Sequence, residues 1–130
     1  MRVSHVALAS SSDEKADRFY QGVLGLTKTR TVTLPASIMK SIFDLDKECK
    51  KTDYEDGEIR FEIFFTGEKG LRTTRPDHVC LEVDDLEIFL ENCEAMKVEI
   101  IKVAKGESTV IFIKDYDGNF FEIKETSEKA

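Results

Sequence analysis

The chain has 130 residues, of which 41% are hydrophobic, 35% charged and 9% aromatic, values that suit one globular domain with a real core and argue against disorder. A formal net charge of -7 and a pI near 4.9 set it against phosphate backbones and anionic lipid, so neither nucleic acid nor a membrane is expected as a partner. No apolar run reaches the roughly 20 residues of a membrane span, and the opening MRVSHVALAS, interrupted by His5, lacks a signal-peptide core, so a cytoplasmic protein with reduced thiols is expected.

Residues 3–9 alternate as a strand. Ser11 followed by Glu14 fits a capping box, and the helix it starts repeats Ala16, Phe19, Tyr20, Val23 and Leu24 at helical spacing before Gly25 closes it. A strand is expected over 26–34. After Pro35, residues 36–45 carry Ile38, Met39, Ile42 and Phe43 in a short helical pattern, a segment that serves as a substrate wall, a dimer contact or ordinary packing. The charged stretch 46–58 is expected to be an exposed loop ending in a turn at Asp56-Gly57, and 59–66 is a strand.

A glycine-containing connection at 67–75 leads to a strand over 77–83. Asp84 with Glu87 then starts a helix striped by Leu86, Phe89, Leu90, Cys93 and Met96. Strands at 98–103, 109–114 and 119–124 follow, the last two joined at Asp117-Gly118, and the tail from Thr126 is polar enough to fray. Three cysteines (Cys49, Cys80, Cys93) without a CxxC spacing give neither a disulfide framework nor a thiolate metal site; Cys80 and Cys93 fall in apolar patterns and are expected in the core.

The order is βαβββ, linker, βαβββ, and the two halves repeat each other. His5-Val6-Ala7-Leu8 matches His78-Val79-Cys80-Leu81, and Phe61-Glu62-Ile63 matches Phe121-Glu122-Ile123. The chain has only two histidines, and they occupy equivalent places. Strand alternation puts His5 opposite Val6 and Leu8, Glu62 (with Arg60 and Phe64) opposite Phe61 and Ile63, His78 opposite Val79 and Leu81, and Glu122 opposite Phe121 and Ile123. All four therefore point away from the helix-packed face. On a curved sheet they would collect two imidazoles and two carboxylates, a donor set suited to one divalent ion such as Zn, Ni, Co, Mn or Fe.

These residues, together with Phe19-Tyr20-Gln21-Gly22-Val23-Leu24-Gly25-Leu26 and the ending Asp115-Tyr116-Asp117-Gly118 through Glu122, resemble the vicinal oxygen chelate superfamily of glyoxalases, bleomycin-resistance proteins and extradiol dioxygenases. The resemblance implies an α+β fold in which two βαβββ modules, 1–67 and 75–126, form a curved eight-stranded mixed sheet around a metal held by His5, Glu62, His78 and Glu122. It also implies a homodimer and a small-molecule substrate. The four-ligand set is most similar to glyoxalase I, a lyase that isomerises the hemithioacetal of methylglyoxal and glutathione through an enediolate. Glu122 would be the base and Glu62 the second carboxylate. The pattern departs from glutathione-dependent members at Ala9, where an arginine is usual, and at Thr66, where an amide is usual; Arg72 or Arg75 would have to supply the positive charge. A methylmalonyl-CoA-epimerase-like enzyme and a small-molecule binding or resistance protein are the alternatives.

Overall fold

In a computed structural model, which describes residues 2–67 and 76–126, the βαβββ order occurs twice, in two units, Met1–Lys69 and Gly70–Ala130. The first runs β1 (Val6–Ser10), α1 (Asp13–Ala16) continuing as a π-helical segment (Asp17–Val23), β2 (Thr27–Leu34), α2 (Ala36–Phe43), β3 (Cys49–Glu55) and β4 (Arg60–Phe65). The second runs β5 (His78–Val83), α3 (Leu86–Ala95), β6 (Ile100–Lys105), β7 (Ser108–Lys114) and β8 (Phe120–Glu125). Each unit forms a four-stranded mixed sheet, ordered β1-β4-β3-β2 and β5-β8-β7-β6, with one parallel pair, β1/β4 or β5/β8. Among the described residues no helix is long and apolar enough to cross a membrane.

Helix and sheet meet through aromatic residues in the first unit. The Tyr20 ring stands 5.4 Å from that of Tyr54 and 5.5 Å from that of Phe61, all three buried. Tyr54 resolves its polar end by donating to Asp17 Oδ1 at 2.6 Å. In the second unit Cys93, Val98, Ile113, Phe121 and Ile123 are buried.

Several sequence expectations are corrected. The stretch expected to be a loop contains β3, which bonds to both β2 and β4. Its inward residues, Thr52 and Tyr54, are a hydroxyl and a phenol, and its other face carries Lys51 and Asp53, so burial leaves little trace in hydropathy. Both helix caps sit one residue later than expected. Ser12, not Ser11, accepts from Lys15 N at 3.3 Å, and Asp85, not Asp84, accepts from Ile88 N at 3.1 Å, while Asp84 Oδ1 faces the Thr126 hydroxyl. Cys80 is exposed, because Val79, Leu81 and Val83 take the inward positions of β5. Strand β1 begins at Val6, so His5 precedes it.

Between β7 and β8 lies a five-residue connection, 115–119, one residue longer than the expected strands leave. The carboxylate of buried Asp115 organises it, accepting at Oδ1 from the amides of Asp117 (3.0 Å) and Asn119 (2.8 Å) and at Oδ2 from the Asn119 side chain (2.7 Å). Gly118 takes φ +90°, a conformation that excludes most side chains. Arg72, Arg75 and the tail beyond Thr126 lie outside the described residues.

Candidate metal centre

The parallel pair in each unit brings its histidine and glutamate together on the face opposite the helix. In the first, Ala7 is in register with Glu62, and His5 Nδ1 stands 3.3 Å from Glu62 Oε2. In the second, Cys80 is in register with Glu122, and His78 Nε2 stands 3.5 Å from Glu122 Oε1. The parity argument thus places each imidazole beside its carboxylate. Within each unit no third His, Cys, Asp or Glu among the described residues completes a metal-binding group, so joining the two pairs into one centre is part of the function proposed below.

Hydrogen bonding tests whether these donors fit a cation. His78 Nδ1 lies 2.7 Å from the Pro76 carbonyl, a contact it makes as a donor. In the neutral ring, Nε2 then carries the lone pair, and it faces a carboxylate oxygen. Two acceptors directed at each other suit a cation between them. The first pair already has one alongside: Arg60 Nη2 lies 3.3 Å from His5 Nδ1 and 3.0 Å from Glu62 Oε2. Both pairs therefore have the chemistry a divalent ion needs.

The two carboxylates differ in surroundings. Glu62 is only 13% exposed, and Lys51 Nζ contacts its Oε1 at 3.2 Å. The same ammonium stands 3.0 Å from Asp53 Oδ1, an ion pair whose geometry falls short of a hydrogen bond, and Asp53 lies directly across from Glu62 in the β3/β4 register. Around Glu122 the equivalent places hold aromatic rings. Phe112 is in register with Glu122, and Phe120 with His78; Lys124 Nζ stands 4.0 Å from Glu122 Oε2. The His78 and Phe112 rings meet edge to face at 5.0 Å. Sequence reasoning placed Arg60 on this face but missed Lys51, Asp53 and Phe112. Their signal was the alternation of β3 and β7, hidden in β3 by its charges.

Each unit carries an apolar cleft on this side of its sheet. One, of about 260 Å³, has Ala7, Ala9 and Phe64 as its floor, with Met39, Phe43 and Leu45 from α2 and its exit as a wall. Thr66 stands at its rim. The Phe43 and Phe64 rings meet edge to face at 5.5 Å. Segment 36–45 is therefore a cleft wall. The other cleft, of about 280 Å³, is lined by Pro76, His78, Phe112 and Phe120.

Comparison with known proteins matches residues 2–123 to the model of the glyoxalase/bleomycin resistance protein/dioxygenase superfamily. The chain belongs to this superfamily. A lactoylglutathione lyase of Haemophilus influenzae is 32% identical over 137 aligned positions, covering 97% of this chain and 96% of that protein. Among solved structures, a glyoxalase family protein from Enterococcus faecalis aligns with a TM-score of 0.73 at 21% identity, covering 94% of this chain and 95% of the other. A mutant of the fosfomycin resistance protein FosX from Listeria monocytogenes, complexed with Mn(II) and 1S,2S-dihydroxypropylphosphonic acid, aligns with a TM-score of 0.70 at 17% identity, covering 98% and 92%. At those identities the two structures speak for the vicinal oxygen chelate fold alone. Superfamily membership matches the resemblance carried by the histidine and glutamate strands.

Proposed function

We propose that the chain is a divalent-metal-dependent lyase or isomerase of glyoxalase I type, with His5, Glu62, His78 and Glu122 as the ligands of one ion. The observation that carries this reading is the pairing of an imidazole nitrogen with a carboxylate oxygen in each unit, at 3.3 and 3.5 Å. The likeness to a lactoylglutathione lyase along nearly the whole chain supports it. A bound divalent ion would stabilise the negative charge that grows on vicinal substrate oxygens when a carbon-bound proton leaves.

The chain's own groups supply the rest. Glu62, contacted by Lys51 and Arg60, is suited to a fixed ligand role. Glu122 has its polar neighbours further off, at 3.5 and 4.0 Å, and is suited to take the proton from one carbon and return it to the next. Phe112 and Phe120 beside it limit the access of water to the proton in transit. A hemithioacetal of methylglyoxal is the first substrate to try.

Thioester formation from methylglyoxal with glutathione, and separately with 2-mercaptoethanol, tests the reading at saturating Zn(II), Ni(II) or Mn(II). Glu122→Gln should lower kcat by about 100-fold or more. Unchanged turnover would remove Glu122 as the base, and wild type that binds no divalent ion would sink the whole proposal.

A further inference from the structure

We propose that the cleft between β1 and α2 is an apolar subsite that receives an uncharged alkyl or aryl group, the non-reacting part of a substrate whose vicinal oxygens lie at the His5–Glu62 pair. The position of the oxygens rests on the function proposed above; the apolar recognition does not.

The cleft continues the face that presents the ligands. Ala7 and Ala9 follow His5 at alternate positions, so at about 3.3 Å per residue they lie roughly 7 and 13 Å further along the strand direction. Phe64 follows Glu62 in the same way, in register with Ala9. Two alanines where larger residues would fill the floor leave the space open, and Met39, itself buried, closes one side. The volume is about 260 Å³. An apolar cavity of about 150 Å³ already takes up benzene, so a phenyl or branched alkyl group fits with room to spare.

Charge decides what kind of group it is. Among the described residues the lining carries no ionisable side chain, and its polar side chain is the Thr66 hydroxyl. A carboxylate there would lose its water without gaining a charged partner from the walls. Lys47, whose ammonium donates to the Thr66 carbonyl at 2.5 Å, is not one of the lining side chains. An uncharged apolar group, by contrast, gains from leaving water and from contact with Phe43 and Phe64.

Hydroxamates test this, because their vicinal oxygens chelate metal while the tail varies. In metal-loaded protein, calorimetry should show phenylacetohydroxamate binding about tenfold or more tighter than acetohydroxamate, and succinic monohydroxamate, with its charged tail, no tighter than the methyl compound. Ala9→Leu should remove the phenyl gain, and Phe43→Ser, at the half-exposed wall, should reduce it in a variant whose core is untouched. A charged tail that binds as tightly as the phenyl tail would overturn the proposal.

A second arm needs no metal. Benzyl alcohol added to metal-free protein should shift the methyl resonances of Ala7, Ala9 and Met39 in wild type, and the Met39 shift should be lost in Ala9→Leu. Absence of shifts in wild type, or methyl resonances that move with protein concentration and ignore benzyl alcohol because a second copy covers the cleft, would overturn the subsite. Shifts without any divalent-ion binding would support the subsite while sinking the metal-dependent function.

Discussion

Arg60 places one guanidinium nitrogen against both atoms that a metal would take in the first unit, His5 Nδ1 and Glu62 Oε2. Its Nε is buried and makes no hydrogen bond among the described residues, a cost that a turn of the side chain toward water would remove. On the function proposed above, guanidinium and divalent ion would therefore compete. Arg60→Met should tighten Mn(II) or Zn(II) binding by about tenfold in calorimetric titration, and an unchanged or weaker affinity would contradict the competition. The sequence shows which face Arg60 occupies, through the alternation of residues 59–65, but not which atoms it reaches. Cys93 bears on stability instead. Burial pushes its thiol up from 9.0 to about 11. Below pH 9 folded and unfolded chains both keep the proton and its contribution is intact; as pH rises from 9 to 11 the unfolded chain ionises first and stability falls. The stability difference between wild type and Cys93→Ala, measured by urea unfolding, should accordingly shrink by up to about 2 kcal/mol across that range. The exposure of Cys80 follows from the alternation that sets His78 opposite Val79 and Leu81, although the apolar composition of Val-Cys-Leu points to the core.

At the scale of elements, β3 is the one whose existence the sequence concealed and on which the Glu62 environment depends. Cys49-Lys50-Lys51-Thr52-Asp53-Tyr54-Glu55 looks like solvated loop, yet most of its polar side chains meet a partner, several of them supplied by another element. Lys50 pairs with Asp13, Tyr54 with Asp17, and Lys51 with Asp53 and Glu62. Hydropathy cannot register burial that is satisfied by long-range charge. The Lys51 side chain is only 11% exposed and separates two carboxylates that face each other across the strands. Lys51→Met should therefore cost about 3 kcal/mol in urea unfolding by leaving them unpaired, and the added change Asp53→Asn should recover much of it. A loss that the second change does not reduce would mean that packing, not charge, makes Lys51 matter. Helices were easier to read. Their apolar spacing located them, and the caps slipped by one residue because adjacent Ser11 and Ser12, or Asp84 and Asp85, offer the same oxygen chemistry.

For the whole molecule, duplication was the most legible feature. Two histidines and two Phe-Glu-Ile strands, matched in place, point to two ligands of one site from each half, and each unit sets its imidazole nitrogen 3.3 or 3.5 Å from its carboxylate oxygen. The repeat also breaks. Arg60 stands in the first sheet where Phe120 stands in the second, a difference visible just ahead of the two Phe-Glu-Ile strands, whereas Asp53 stands where Phe112 does, an equivalence that only register reveals. If the two pairs serve one ion, titration should give one divalent ion per chain, and His5→Gln and His78→Gln should each remove most of the affinity. Two ions per chain, with each substitution abolishing one, would mean two independent half-sites. The parallel pairing of β1 with β4 has a bearing on how the protein comes to work at all. His5 and Arg60, which it brings into contact, are 55 positions apart along the chain. The β3–β4 hairpin has only a short loop to close, whereas β1 must find its place across nearly the entire unit, against a larger loss of chain entropy. The His5–Glu62 pair should thus be among the last contacts made during folding, and a newly made chain would form its β3–β4 hairpin before the proposed ligands meet.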